Sequence, residues 1–287
     1  MSGLNGPGLA IAKTIKLFID GAFIRTESGR TFPVYIHNTK RLYANLCRAS
    51  RKDLCNAVTA AVKAQPVWAG RTAYNRGQIL YRMAEMTEGK KAEFQSCLIE
   101  TLGYDRQWAE KVMTEAIDGL VYYSGFADKY QQLLGSENPV ASSYYNFTCS
   151  EPVGVVGLIA DDHFDFLSLV AQISAIICSG NSVVVLLAEE GAAVMAPLSE
   201  VLATSDLPQG VVNLLSGFQE ELYPIYGSHM EIQSLCYQGG DGRVLRELKS
   251  MAAENMKRLV TKSKESLSLE SLLNFVEYKT VWQPVGY

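Results

Sequence analysis

The sequence predicts an α/β fold: a Rossmann-like, doubly wound parallel sheet with a helical N-terminal layer and a small two-part β element. Three observations predict it. From Pro152 onward, apolar runs rich in branched side chains recur at 153–160, 182–188, 210–216, 232–237 and 258–261. Runs without polar alternation suit parallel strands covered on both faces. Stretches of helical length at 166–178, 192–204, 218–226 and 242–255 separate them, which is the strand–helix rhythm of a doubly wound domain. Ahead of this region, Leu54 to Leu134 carries apolar residues at three- and four-residue spacing, the mark of helices with one buried face.

Each element follows in order. Residues 16–26 alternate apolar and polar around Asp20-Gly21, a two-residue hairpin signal. Phe32 to Ile36 reads as a further short strand. Ser50 and Asp53 form an N-cap pair for a helix with Leu54, Val58, Ala61 and Val62 on one face, and Pro66 is expected to end it. Helical periodicity resumes from Tyr74 to Thr101, breaks at Gly103 and returns from Asp105 to Leu134. There Trp108, Val112, Ala116, Leu120 and Tyr123 repeat on one face. The character changes at Ser136-Glu-Asn-Pro139, and Ser143 to Thr148 alternates like an edge strand. The chain closes with a helix at Leu269–Phe275 and a strand at Glu277–Trp282. The expected organisation is a nucleotide-binding-like domain from 1–135 with 150–268, and a β element from 136–149 with 269–287.

Composition narrows the function classes. A chain of 287 residues with 48% apolar and 20% charged residues has the make-up of a globular protein with a substantial core. A net charge of −4 with scattered basic residues argues against a nucleic-acid surface. No apolar run is long enough to predict a membrane span, and the N-terminus lacks the basic region of a secretory leader. Six dispersed cysteines without a C-x-x-C pair predict reduced thiols, a cytoplasmic location and no metal site. Asn146-Phe147-Thr148 fits a glycosylation sequon, which carries no meaning without a leader.

The order of motifs resembles the aldehyde dehydrogenase family. Phe18-Ile-Asp-Gly-Ala-Phe23, Ser28-Gly29, Ala60-Ala61 leading to Trp68, and Tyr122-Tyr-Ser-Gly-Phe-Ala-Asp128 are similar to that family's N-terminal half. So are Glu151-Pro-Val-Gly-Val-Val-Gly157, Ser179-Gly-Asn-Ser-Val-Val-Val185 and Leu207-Pro-Gln-Gly-Val-Val-Asn213. Leu272 to Trp282 looks like the family's C-terminal oligomerisation strand, which would make Lys279, Thr280, Val281 and Trp282 oligomerisation residues. In the family a full catalytic domain separates the two regions. Here Lys257-Arg-Leu-Val260 runs through 261–269 almost directly into the C-terminal strand, so the resemblance implies that the catalytic domain is absent. This resembles the truncated second module of the two-module, class-sixteen enzymes.

What the resemblance implies for chemistry follows residue by residue. The nucleophile belongs to a Gly-Gln-x-Cys segment. The single Gly-Gln pair here, Gly77-Gln78, has no cysteine after it. The base position falls near Lys262, and the amide donor of the Pro-Trp-Asn-Phe-Pro segment falls on His163 within Asp161-Asp-His-Phe-Asp165. His163 among three aspartates is read as a relaxed polar loop rather than a new acid–base or metal site, and Cys178 and Cys236 as buried thiols. The expectation is no catalytic residue.

For the cofactor, Gln238-Gly-Gly-Asp-Gly242 follows a strand and precedes a helix, as a phosphate-binding turn should. Gly239 and Gly242 would permit close backbone approach, but Gly240 stands where the family has serine, and Asp241 adds a negative charge. The ribose-contacting Lys-Pro-Ala-Glu segment reads Leu186-Leu-Ala-Glu189, so only Glu189 matches. These residues are expected to be vestigial, the chain to carry no cofactor, NAD included, and its role to be that of a non-catalytic scaffold or assembly module. Its expected partners are a second copy or a catalytic aldehyde dehydrogenase, with no nucleic acid and no membrane. The alternative is a regulatory subunit that binds NAD in the degenerate crevice.

Overall fold

The computed structural model describes residues 12–262 and 267–286. The leader reading at 1–11 and the centre of the 261–269 connection lie outside the described residues. The chain opens with β1 (Thr14–Ile15), β2 (Leu17–Ile19) and β3 (Ala22–Ile24). Asp20 and Gly21 take φ of 52° and 71°, the left-handed pair that a two-residue hairpin requires. β4 (Thr31–Tyr35) and β5 (Leu42–Cys47) follow, and β5 pairs parallel with β1 and antiparallel with β4. The sequence did not predict β5, because Asn45 and Tyr43 blur its alternation and its pairing partners are remote.

Helix α1 (Arg51–Ala69) starts at the predicted capping box: Asp53 donates its backbone N–H to Ser50 Oγ, and its carboxylate accepts from the Ser50 N–H. Pro66 does not end the helix. It lies close to the C-terminus, where its missing N–H deprives only one carbonyl. The turn beyond it buries Trp68 completely, with Nε1 donating to the Ile177 carbonyl at 2.8 Å. The expected 74–101 helix is two, α2 (Ala73–Gly89) and α3 (Lys91–Leu102), meeting at Lys90, whose ammonium binds both Glu93 and Glu200. α4 (Arg106–Phe126) and α5 (Tyr130–Leu134) likewise divide the predicted 105–134 helix. Val112, Ala116, Leu120 and Tyr123 are buried as expected, whereas Trp108 in the first turn and Val62 on α1 remain exposed.

β6 (Ser136–Asn138) and β7 (Tyr144–Pro152) lead into the alternating region. It comprises β8 (Val155–Ile159), α6 (Phe166–Cys178), β9 (Ser182–Leu187), α7 (Met195–Thr204), β10 (Val212–Ser216), α8 (Gln219–Ser228), β11 (Ser234–Tyr237), α9 (Gly242–Glu254) and β12 (Arg258–Thr261). The main sheet has the order β12-β11-β8-β9-β10-β2-β3, parallel from β12 to β10 and extended antiparallel by the N-terminal hairpin. Every residue of β8, β9, β10 and β11 is buried, which explains their unalternated sequences. α1 lies against β8, β9 and β10 and touches α8, while α6 lies against β9 and carries α4 and α2 outside it, so helices cover the sheet on both sides.

After α10 (Leu269–Leu273), β13 (Val276–Pro284) pairs antiparallel with β7 along its whole length, from Val276 opposite Pro152 to Pro284 opposite Tyr144. With β6 they form a three-stranded sheet, β13-β7-β6. A buried amide helps fasten this element to the main domain, beside the Arg258 guanidinium, which donates to the Asn274 and Val276 carbonyls. Asn181, fully buried, accepts from the Gly154 N–H at 2.9 Å and shares its own N–H groups among the Ile176 carbonyl, Ser179 Oγ and the Phe275 carbonyl. Replacing it by alanine strands several buried polar groups at once. Asn181→Ala is therefore expected to lower the unfolding free energy by about 2–4 kcal/mol in urea denaturation; a loss below about 1 kcal/mol would show that the groups find other partners.

Candidate functional site

The strand order dictates where a ligand fits. From β8 the chain steps sideways to β9 and β10, then returns to β11 on the other side of β8 and steps away to β12. The progression thus reverses between β8 and β11, and a crevice opens beyond their C-terminal ends. The loop 161–165 after β8, Ala188–Glu190 after β9, the start of α8, the turn 238–242 after β11 and Lys262 after β12 border it.

A groove of about 500 Å³ lies on the β9 and β10 side of this reversal, between Ala188, Glu189 and Glu190 on one side and Phe218 to Glu221 on the other, with Asp162 at its end. Glu189 stands exposed just past β9. Its carboxyl is held above the usual range by burial in the groove and by the nearby Asp162 and Glu220, against the pull of Arg48. Arg48 is engaged elsewhere: it forks onto both oxygens of Glu221, and its guanidinium lies 4.0 Å over the Phe218 ring. Leu186, where the resemblance expects a ribose-binding lysine, is fully buried inside β9.

The glycine turn is built for packing at one position and openness at others. A Cβ on Gly239 would come within 2.5 Å of Tyr237 Oη, whereas at Gly240 and Gly242 nothing lies within 4 Å. Asp241 is the N-cap of α9 and accepts from the Arg243 N–H at 2.7 Å. The Arg243 guanidinium lies 3.7 Å from that carboxylate and 3.4 Å from Glu220 on α8. Burial and the neighbouring Asp161 and Asp241 raise the carboxyl of Asp162.

At the positions where the resemblance places catalytic groups, Lys262 Nζ lies 2.9 Å from Asp161 and 3.9 Å from Asp165, a tie across the mouth of the crevice. His163 is exposed, and its backbone N–H donates to Asp161. No group of histidine, cysteine and carboxylate side chains suited to a metal exists among the described residues. Cys178 and Cys236 are fully enclosed, and burial pushes both thiols up to about 12, far from a reactive thiolate. Asn146 of the sequon is buried, with its Oδ1 accepting from Asn138, so it offers no accessible amide to a glycan. No helix among the described residues is long and apolar enough to cross a membrane.

Lys279, Thr280, Val281 and Trp282 all fall in β13. Lys279 pairs with Glu151 at 3.1 Å, Thr280 meets Thr148, and Trp282 stands edge-on to Tyr144. Trp282 and Tyr278 are more than half exposed. The sequence reading missed Arg48, Arg243 and Tyr237 as crevice residues. Arg48 is distant in the chain and carried no local signal; Tyr237 and Arg243 flank the glycine turn and were legible only by position.

The topology and crevice define a Rossmann-like α/β domain, and the comparisons give its kinship. The aldehyde dehydrogenase family profile matches residues 23–263. Retinal dehydrogenase 2 of Gallus gallus is 31% identical over 255 residues, covering 86% of this chain and 48% of that protein. Cytosolic aldehyde dehydrogenase 1 of Elephantulus edwardii is 29% identical over 252 residues, 85% of this chain and 49% of its own length. Among solved structures, the NAD+ complex of an aldehyde dehydrogenase from Bacillus cereus superposes with a TM-score of 0.81 at 26% identity, covering 87% of this chain and 50% of that one. The chain belongs to the aldehyde dehydrogenase family, and it spans about half the length of the curated relatives it matches.

Two expectations are corrected. The reading of the chain as no enzyme, a pseudoenzyme, is overturned by relatives that are named dehydrogenases. The reading that it carries no cofactor is overturned by the likeness to a structure solved with NAD+. The first rested on the missing catalytic domain and nucleophile segment, the second on substituted side chains at motif positions. A parallel sheet's ligand crevice is made largely by strand order and helix termini, and the strand order here is the one that opens such a crevice. The Lys262–Asp161 tie is partly exposed, so Lys262→Gln is expected to change the unfolding free energy by less than about 1 kcal/mol; a larger loss in urea titration would show that the tie holds the loop closed.

Proposed function

We propose that the chain is the cofactor-binding and assembly half of an NAD-dependent aldehyde dehydrogenase. The groove beyond the C-terminal ends of β9 and β10, with Glu189 at its lip, carries this reading. The residues fit the nucleoside end of NAD. The Glu189 carboxylate would accept from the ribose hydroxyls, Ala188 and Phe218 supply apolar wall, and the start of α9 offers backbone donors. NAD supplies the hydride acceptor when bound; this chain's residues bind and orient it. The carbonyl chemistry falls to a partner module, as in the class-sixteen enzymes that the sequence resembles, and the chain's grip on the cofactor gives it a regulatory hold over that module.

The assembly role rests on the β13-β7-β6 sheet. The outer edge of β13 has no strand partner among the described residues, and Tyr278, Trp282 and Val285 are exposed beside it. Such an edge invites a further strand, either from a second copy or from a catalytic module.

Two outcomes check the proposal. NAD+ should raise the melting temperature of the full chain by mass action, and Glu189→Ala should weaken binding about ten- to hundredfold, the worth of a charge-assisted contact. Because the ionised carboxylate is the acceptor and its pKa is raised, binding should weaken as pH falls through that raised value and stay flat in Glu189→Ala. Absence of any thermal shift at about 1 mM NAD+ overturns the cofactor reading. For assembly, light scattering should give a mass above one chain, reduced by truncation after Phe275. A monomeric full chain whose binding to a catalytic family member is unaffected by that truncation overturns it.

A further inference from the structure

β8 and β9 pair along their whole length, and beyond the ladder the Ala160 N–H still donates to the Leu186 carbonyl at 3.0 Å. Past that point each chain segment runs through two exposed residues to a buried one: Asp162 and His163 before Phe164, Glu189 and Glu190 before Gly191. The two buried residues meet. A Cβ on Gly191 would collide with the Phe164 ring, which is only 7% exposed. Gly191 has a φ of −98°, which other residues also adopt, so the ring and not the backbone is what calls for glycine there.

Both sides of this seat are anchored. The Phe164 ring lies 6.5 Å from that of Phe166, which lies 5.1 Å from that of Phe94 on α3, so Phe164 ends an aromatic row rooted in the core. Tyr104, between α3 and α4, donates its hydroxyl to the Phe164 carbonyl at 3.3 Å. On the other side, the Gly191 carbonyl accepts from the Val194 N–H at 3.2 Å, which opens the short turn Ala192–Val194 leading into α7. Removing the ring would leave a void against backbone that has no side chain to fill it.

We propose that Phe164 is a positioning residue: seated on Gly191, it joins the 161–165 loop to the Glu189 lip, so that occupancy of the groove fixes the loop beyond it. This rests on the reading of the groove as a nucleoside site. Asp162 and Glu189 both line that groove, one on each side of the seat, and the charge of Asp162 acts on the Glu189 carboxyl. A nucleoside that engages Glu189 therefore bears on a lip that is packed against the loop. His163, which stands where the resemblance places the amide donor, is one residue from the seat. Coupling of this kind is reciprocal, so whatever orders the loop also tightens the groove. The chain's hold on the nucleoside thereby sets the loop that the resemblance places at the reacting end.

The test takes the full chain with adenosine as the probe, read by calorimetry and by hydrogen exchange of the amides at 161–165 and 188–191. The parent is compared with Phe164→Ala, Phe164→Leu, Gly191→Ala and the double variant of the two alanine changes. Adenosine is expected to slow exchange in both segments of the parent. Phe164→Ala should speed exchange in both segments of the free protein and weaken adenosine about three- to tenfold. Phe164→Leu keeps an apolar side chain on the glycine and should restore affinity to within about twofold of the parent. Gly191→Ala should behave as Phe164→Ala does, and the double variant should be no worse than either, because both changes break one contact. The charges acting on Glu189 are Arg48, Asp162 and Glu220, with Glu190 and Glu221 on the same groove. Unseating the loop withdraws Asp162, so the pH midpoint of adenosine binding should move down in Phe164→Ala, a shift that lost stability alone would not produce. If adenosine binds the parent and Phe164→Ala equally, or if Phe164→Ala speeds exchange at 161–165 and not at 188–191, the coupling fails while the groove reading survives. If adenosine does not bind the parent, the groove reading fails, and exchange in the free proteins decides the seat: a rise in both segments upholds it, a rise in one or neither overturns it. Should Gly191→Ala not fold, the two Phe164 variants carry the same decision.

Discussion

The Asn181 side chain is the constraint on which the rest of the structure leans. Its carbonyl satisfies the N–H of Gly154 at the entry to β8, and its amide N–H groups close the end of α6 and hold the Phe275 carbonyl at the entry to β13. Asn181, Ile176 and Phe275 are shielded from water, where an unmet donor or acceptor is costly. Fixing them together sets where β8 begins and how α6 returns into β9. It also fixes how the β13-β7-β6 sheet sits against the main domain. The crevice at the far end of β8 inherits its geometry from that anchor, because a strand buried along its whole length cannot shift without disturbing both helical layers.

The core of the fold was legible because its strands are buried throughout and announce themselves as unbroken apolar runs. What escaped was set by distant partners. β5 exists because β1 and β4 offer it pairing on both edges. α1 runs through Pro66 because Trp68 reaches the Ile177 carbonyl. The Lys90 break reflects ion pairs to Glu93 and Glu200, one of them on a helix far along the chain. At the site, Glu189 and the glycine turn were found by position. The expectation of no cofactor gave the loss of a lysine at Leu186 and a serine at Gly240 more weight than the strand order that creates the crevice. Arg48 and Tyr237 become readable only when the fold brings them to its rim.

The charges around the crevice come in matched sets: Lys262 with Asp161 and Asp165, Arg243 with Asp241 and Glu220, Arg48 with Glu221. Partly exposed pairs of this kind contribute little to stability. Their effect is on selectivity, since any incoming charge must break an existing pair before it forms its own. A neutral sugar diol approaching Glu189 meets no such exchange. The crevice is therefore uneven along its length in what it asks of a ligand, although its backbone frame is that of an ordinary Rossmann-like parallel sheet.

The pairing of β13 with β7 has a consequence for how the protein is made. Val276–Pro284 and Tyr144–Pro152 are far apart in the chain. During synthesis at about 5–20 residues per second, β7 therefore leaves the ribosome several seconds before its partner exists. In that interval β6 covers only part of one edge of β7, and the other edge, flanked by Tyr145 and Phe147, is a template open to any extended segment. The strands of the main sheet end at Thr261, and β13 follows as the last strand to close its ladder. Nascent chains stalled before Val276 would present that edge for as long as they persist, which makes late translation the period of greatest exposure to mispairing and to chaperone capture.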